Sequence, residues 1–257
     1  LNIFEVSKFF QVEGYQQVSS TNDVLAELVR QGRGRDGLLV WAEQQTAGRG
    51  RHGRSWVSPK GNLYMSLLLK RKPNLQEAAL VGFVAAVSLA ETLKNHVVTS
   101  DKVEIKWPND LLIEQKKCAG ILLEAITSPS IDGTDYIIVG IGVNITSHPD
   151  NLPYPATSLH RHVSSRAISP ILILEGFCHA FLPRLVIWRE GDFAGISQEW
   201  LRYACGVGKK IIVRMPDSKT KQGYFEGIDE KGYLLLKRQR RMEKIAVGEV
   251  FFPEEGI

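Results

Sequence analysis

The chain has 257 residues, 44% hydrophobic and 23% charged, with 23 Gly and 11 Pro, an ordinary globular composition that excludes collagenous and disordered classes. The length suits one large domain and a small one, and 32 basic against 28 acidic residues leave a formal charge of +4, too mild to require nucleic acid or a membrane as partner. The apolar stretch from Ala78 to Ala90 is interrupted by Gly82 and Ser88 and falls short of the roughly 18 residues of a membrane span, so none is expected, and the first ten residues, which include Glu5 and Lys8, read as no export signal.

In chain order, Ser20-Thr21-Asn22-Asp23 followed by Val24, Leu25, Leu28 and Val29 reads as a capped amphipathic helix, with Ser20 and Asp23 at capping-box spacing and Gly32 as the stop. Leu38 to Ala42 and Leu63 to Leu69 read as buried strands. Between them, Thr46 to Asn62 is rich in Gly and Arg with no apolar period, which predicts a long loop. Glu77 to His96, apolar on almost every face in its first half, reads as a helix buried against a sheet. Val103 to Trp107, Leu111 to Glu114, Cys118 to Ile126 and Tyr136 to Ile145 follow as strands, with a hairpin around Gln115-Lys116. Ser169-Pro170 opens a helix to about Glu190 that Pro183 should kink or break, and Ile196 to Tyr203 is a shorter helix.

Runs of strands without a β-α-β alternation predict an α+β fold, a mixed sheet with flanking helices, in preference to a doubly wound one. After Gly206, Lys210 to Arg214, Gln222 to Ile228, Tyr233 to Lys237 and Lys244 to Phe252 are short strands separated by turns at Pro216-Asp217 and Glu230-Lys231-Gly232. They predict a small SH3-like β-barrel. The expected division is therefore 1–204 for the larger unit and 205–257 for the barrel.

Gly48-Arg49-Gly50-Arg51-His52-Gly53 spells the G-x-G-x-x-G dinucleotide fingerprint. Its context fails, because no helix start follows it and Leu68-Leu69-Lys70 lies where the fingerprint needs an acidic residue. What the segment does hold is Arg49, Arg51 and Arg54 within six residues, with no acidic residue from Gln44 to Asn74. Such a loop repels itself until an anion arrives, and guanidinium groups with glycine backbone N–H groups suit phosphate or carboxylate. From charge alone, a solvated basic loop is the more common outcome.

Lys106-Trp107-Pro108-Asn109-Asp110 places Asn109 and Asp110 at a strand end turned by Pro108, where active-site residues often sit. A polar turn is the plain alternative. Lys117 begins the strongly apolar strand and is a natural carboxylate or phosphate partner. Gly140-Ile141-Gly142-Val143-Asn144 supplies strand glycines that fit either close approach of a ligand or tight sheet packing. The six histidines show no metal-ligand pattern, and His160 and His162 read as surface residues. Cys118, Cys178 and Cys205 are widely spaced and suit a reducing cytoplasm as buried small hydrophobes.

Ser20-Thr21-Asn22, Gln45, Gly48 through Trp56, Lys106 through Asp110, Lys117 with Ala119-Gly120, and Gly140 through Asn144 resemble, in order and spacing, the biotin protein ligases. The resemblance runs from about Ser19 to the C-terminus. It implies a catalytic domain related to class II aminoacyl-tRNA synthetases and lipoate ligases, with an SH3-like domain after it. It also implies two half-reactions: biotin and MgATP give biotinyl-5′-AMP and pyrophosphate, then a carrier-protein lysine takes the biotinyl group. Catalysis then rests on positioning and charge neutralisation, with no enzyme nucleophile.

By the same resemblance, Ser20, Thr21, Asn22 and Gln45 would hold the ureido end of biotin. Gly48, Arg49, Gly50 and Arg51 would close over biotin and adenylate, with Arg54 on the phosphates and Trp56 near the closed loop or the adenine. Lys117 would hold the biotin carboxylate and then the acyl phosphate, and Asp110 would orient the incoming lysine and help remove its proton. Asn109, Gly120, Gly142 and Asn144 complete the implied binding set. Metal ligands are left unassigned beyond a role for Asp110.

The implied partner is the biotin carboxyl carrier protein of acetyl-CoA carboxylase, with dimerisation left open and a cytoplasmic location. Many bacterial members carry an N-terminal winged helix-turn-helix, whereas about eighteen residues precede Ser20 here, so no operator binding is expected. Lys237-Arg238-Gln239-Arg240-Arg241 is accompanied by Glu226, Asp229, Glu230 and Glu243 and reads as a solvated turn, with no nucleic acid expected. Two other readings stand beside this one: lipoate or octanoate attachment, and nucleic-acid binding through the basic loop.

Overall fold

The apolar runs of the sequence become the centre of one large sheet in the computed structural model, which describes residues 8–70, 75–98, 102–128, 135–163, 168–239 and 241–253. Its strands are β1 (Gln11–Val18), β2 (Leu38–Gln45), β3 (Leu63–Lys70), β4 (Val103–Lys106), β5 (Asp110–Ile113), β6 (Lys116–Thr127) and β7 (Asp135–Val143), in the spatial order β1-β2-β3-β7-β6-β5-β4. β1 runs parallel to β2 and every other pair is antiparallel, so the expected mixed sheet is present. β1 has no counterpart in the sequence reading: its side chains are half exposed and polar, and an apolar pattern could not reveal it. The hairpin between β5 and β6 turns through Glu114 and Gln115, both at positive φ, as a two-residue turn between twisted strands requires.

Period-two alternation sorts the central strands between two helical layers. Leu39, Leu67, Leu69, Ile137 and Val139 face a core shared with α3 (Val81–Lys94) and α4 (Pro170–Arg189), whereas Leu38, Val40, Leu68, Tyr136 and Ile138 face Leu25, Leu28 and Val29 of α1 (Thr21–Arg30). The single helix expected from Glu77 is broken at Leu80 into α2 (Leu75–Ala79) and α3. α4 starts on the expected Ser169 cap, whose hydroxyl accepts from the Leu172 N–H at 3.2 Å with Pro170 in the first turn, and it continues through Pro183 without interruption. Beside that proline, the Ala180 carbonyl accepts from Arg184 Nη1 at 2.9 Å. Among the described residues α4 is the one helix that by length and composition would pass for a membrane span, and half of its apolar window is buried inside the protein.

The C-terminal region forms β8 (Lys210–Arg214), β9 (Thr220–Ile228), β10 (Leu234–Arg238), β11 (Arg241–Ile245) and β12 (Glu249–Phe251). They make a five-stranded antiparallel sheet in the order β11-β10-β9-β8-β12, which is open and not the expected SH3-like barrel. Lys244 to Phe252, expected as one strand, is divided between two strands, parted at the Ala246-Val247-Gly248 turn to opposite edges of the sheet. Closure is also unnecessary, because the large unit covers the apolar face. Phe225 of β9 meets Trp200 of α5 (Phe193–Tyr203) with ring centroids 6.4 Å apart, and Trp200 in turn packs 5.5 Å from Phe83 of α3. Trp107 Nε1 donates to the Gly232 carbonyl at 3.1 Å. Aromatic side chains of this size bury 150–250 Å² each, at about 25 cal/mol per Å².

Candidate active site

On the α1 side of the large sheet, the apolar face gives way to small and polar residues just beyond the helix N-terminus. Along β7 the residues facing α1 run Tyr136, Ile138, Gly140, Gly142, and beside Gly140 stands Ser66 of β3. A cavity of about 340 Å³ opens there, lined by the first turn of α1, the arginine loop, the β4–β5 turn, β6, β7, the 153–155 loop and the edge of the C-terminal sheet.

The inner end of the cavity is a buried polar network. Ser20 has the extended backbone of an N-cap but its side chain makes no capping bond, so the expected capping box is not formed, and the residue lines the cavity. Gln45 Oε1 accepts from the Thr21 N–H at 2.9 Å and from its hydroxyl at 3.2 Å, while Gln45 Nε2 donates to Ser58 Oγ at 3.0 Å. The Ser66 hydroxyl lies 2.5 Å from Asn22 Oδ1, and Asn22 Nδ2 donates to Glu124 Oε2 at 2.6 Å. A Cβ at position 140 would overlap Asn22 Oδ1. The strand glycines therefore make room for side chains of the site itself. Gly142 takes Trp56 in the same way, with an added Cβ falling 2.5 Å from Nε1.

The segment expected as a long loop is a tight hairpin at its arginine-rich centre. Arg49 and Ser55 form a β-bridge, the Gly50 N–H donates to the Arg54 carbonyl at 2.7 Å, and Trp56 N–H donates to the Gly48 carbonyl at 2.8 Å. Arg51–Gly53 is a single 3-10 turn, so no helix follows the glycines and the dinucleotide reading stays excluded. Self-repulsion is relieved by carboxylates distant in sequence, not by an incoming anion. Arg49 grips Asp23 with two hydrogen bonds of 2.7 and 2.8 Å and lies 3.4 Å from Glu124, and Arg54 pairs with Glu249 at 2.5 Å. The Arg49 hydrogen bond holds the Asp23 carboxyl below the usual carboxylate range.

Arg51 differs from both. Its guanidinium donates to the neutral Asn109 Oδ1 at 3.2 Å, and burial pushes its pKa down although Asp110 and Glu249 pull the other way. Asn109 is itself fixed by donating Nδ2 to the Ile121 carbonyl at 2.7 Å. Asp110 and Lys117 meet at 2.6 Å, facing each other across the β5–β6 hairpin. The Lys117 ammonium lies between two aromatic faces, 5.4 Å from the Trp56 ring centroid and 5.2 Å from that of Tyr154. The Tyr154 loop is tied to the Lys117 backbone, whose N–H donates to the Pro155 carbonyl at 2.9 Å.

Ser20, Thr21, Asn22, Gln45, Arg49, Gly50, Arg51, Arg54, Trp56, Asn109, Asp110, Lys117, Gly120 and Gly142 thus line one cavity. Gly48 and Asn144 do not. Gly48 supports the hairpin base, and Asn144 is buried behind β7, where its Nδ2 donates to the Thr157 carbonyl at 3.1 Å. The sequence reading missed Tyr154, Arg214, Glu249 and Phe251 on the cavity wall, and Glu124, Ser58 and Ser66 in its polar network. Nothing local in the sequence marks them. His160 and His162, expected as surface residues, are half-buried: His162 Nε2 lies 2.7 Å from Thr157 Oγ1, and His160 Nε2 3.4 Å from the Ile168 carbonyl. Among the described residues no group of three or more His, Cys, Asp or Glu is arranged to hold a metal ion.

A buried neutral polar pocket beside a cluster of cations can hold a polar acid and present its carboxylate to a phosphate ester. Comparison with known proteins agrees with that chemistry. Residues 13–144 match the model of the biotin/lipoate A/B protein ligase family, and residues 206–252 that of the biotin protein ligase C-terminal domain. The biotin--[acetyl-CoA-carboxylase] ligase of Paracoccus denitrificans is 36% identical over 91% of this chain and 99% of its own length. The bifunctional ligase/repressor BirA of Escherichia coli is 38% identical over 91% of this chain and 71% of its own. Among solved structures, the Aquifex aeolicus biotin protein ligase in complex with biotin and ATP superposes with a TM-score of 0.77 at 26% identity, covering 94% of this chain and 97% of that one. The chain with this cavity belongs to the biotin/lipoate A/B protein ligase family, as one of its biotin protein ligases.

Proposed function

We propose that the cavity activates biotin with ATP to biotinyl-5′-AMP and passes the biotinyl group to a lysine of a carrier protein. One observation carries this reading: Arg51 and Lys117 line the same cavity as the hydrogen-bonding residues Ser20, Thr21, Asn22 and Gln45 and the arginine-rich hairpin. The polar pocket of Ser20, Thr21, Asn22 and Gln45 suits the ureido ring, whose buried donors and acceptors need partners. The acid's carboxylate then points toward Lys117.

In the first half-reaction a carboxylate oxygen of biotin attacks the α-phosphorus of ATP. The bond from that phosphorus to the α–β bridging oxygen breaks, its electron pair leaves with pyrophosphate, and no protein nucleophile takes part. Arg51, held only by a neutral amide, gains a charged partner when the adenylate forms, which favours the charge-rich transition state over the empty site. Lys117, confined between Trp56 and Tyr154, holds the acyl-phosphate oxygen. In the second half-reaction the neutral amine of the carrier lysine attacks the acyl carbon, AMP leaves, and Asp110 orients the amine and accepts its proton. Asp110 and Glu249 would complete the coordination of a magnesium ion carried by the nucleotide, where it would neutralise phosphate charge. Asp110 and Glu249 are the carboxylates on the cavity wall. The Paracoccus relative's name supports the biotin carboxyl carrier protein of acetyl-CoA carboxylase as the acceptor. Three buried free thiols support a cytoplasmic location.

Native intact-mass spectrometry after mixing the protein with MgATP and, separately, biotin, lipoate or octanoate tests the reading. A retained biotinyl-AMP mass with biotin alone is expected. A lipoyl or octanoyl adenylate, or none with any acid, would remove it.

A further inference from the structure

Four arginines line the cavity: Arg49, Arg51, Arg54 and Arg214. Two of them are already neutralised, Arg49 by Asp23 and Glu124 and Arg54 by Glu249. Arg51 and Arg214 have no carboxylate within ion-pair distance among the described residues. Arg214 is the last residue of β8 and stands in register with Glu249 of β12, so it comes to the cavity from the C-terminal sheet. Its guanidinium lies 4.5 Å from the ring centroid of Phe251. The same ring takes Lys106 at 5.6 Å, so Phe251 carries a cation from each unit.

Stacking on an aromatic ring fixes the plane of a guanidinium and leaves its N–H edge free to donate. An arginine oriented this way, on a cavity wall and without a counter-ion, is suited to an anion supplied by a ligand. Arg51 lines the same cavity as the polar pocket residues. Arg214 reaches the cavity from the C-terminal sheet, beside Glu249 and Phe251, where it can meet charge beyond the α-phosphate.

We infer that Arg214 binds the β- and γ-phosphates of ATP and holds the departing pyrophosphate, with Phe251 as the positioning surface. The inference rests on the ligase reading given above. When the α-phosphorus to bridging-oxygen bond breaks, the pair lands on an oxygen of pyrophosphate, and Arg214 stabilises the charge gathered there. AMP and biotinyl-AMP lack those phosphates and gain nothing from it.

The test compares the wild-type 257-residue chain with Arg214→Gln, Arg214→Lys and Phe251→Leu in steady-state adenylation, with pyrophosphate and AMP as inhibitors and calorimetric titration of biotin without nucleotide. Losing one charge-assisted phosphate contact should raise KM for ATP by about tenfold in Arg214→Gln and weaken pyrophosphate inhibition by a similar factor. AMP inhibition and biotin affinity should stay unchanged, Arg214→Lys should recover part of the loss, and Phe251→Leu should fall between. Equal weakening toward ATP and AMP would make Arg214 merely structural, and an unchanged KM with unchanged pyrophosphate inhibition would likewise overturn the assignment. Wild-type turnover in the same assay reports separately on the ligase reading, because its absence would remove both.

Discussion

Arg54 of the hairpin and Glu249 of the last strand meet at 2.5 Å, so the C-terminal sheet latches the arginine hairpin that lines the cavity. Burial alone would raise the Glu249 pKa, but Arg54 pulls it below the usual carboxylate range. The depressed pKa means the latch is intact above the ordinary carboxylate value and is lost as the pH falls through the lower folded one.

Glu249→Gln should therefore release the hairpin without unfolding the sheet. Half-exposed pairs of this kind contribute about 0.2–1 kcal/mol, so amide exchange at Gly50, whose N–H donates to Arg54, should quicken by up to about fivefold. Hydrogen-exchange mass spectrometry of the 46–58 region checks this, and an unchanged rate would show that the ion pair holds nothing.

Lys117→Ala should cut adenylate formation by about 100-fold or more, the scale of losing one preorganised charge partner. The fold should survive, since the change removes a cation and not core volume. Pyrophosphate release together with circular dichroism separates the two effects.

Arg51→Gly should still form adenylate but retain it poorly, because the charged side chain that closes on the intermediate is gone. Labelling of exposed lysines on a bystander protein should rise. Bystander labelling at the wild-type level with adenylate still forming would show that Arg51 is not a lid.

Gly140→Ala should act on the acid and not on the nucleotide. The added methyl overlaps Asn22 Oδ1, and displacing it costs about 1–3 kcal/mol by the usual scale of overpacking. KM for biotin should rise while KM for ATP holds, as steady-state titrations would show.

Burial pushes both His148 and His162 below the ordinary 6.5. On acidification the unfolded chain takes those protons first, so stability falls with pH from about 6.5 downward until the folded groups also titrate. A His148→Gln, His162→Gln double variant should flatten the decline in Tm between about pH 7 and about pH 5.

Much of this site was legible because its parts are contiguous in sequence. Ser20 to Asn22, the arginine segment and Lys106 to Asp110 each lie in one short stretch, and side chains near in sequence at a strand or helix end stay near in space. What could not be read was pairing at long range. The arginine loop looked uncompensated because Asp23, Glu124 and Glu249 lie 26, 75 and about 200 positions away, and local charge arithmetic cannot see them. Tyr154 and Arg214 come from segments with no site-like composition. In the fold, apolar alternation exposed β2, β3 and β7, whereas the polar edge strand β1 carried no such signal. The C-terminal strands were visible, but which edges meet is set by what covers their apolar face.

That cover has a further consequence. Phe225 against Trp200, Trp200 against Phe83, and the Trp107 bond to Gly232 make the boundary between the two units part of one continuous core. A cut after Ala204 would strip the indole of Trp200 and the ring of Phe83 of their cover, so the chain should melt in a single calorimetric transition and neither fragment should be recoverable as a folded module.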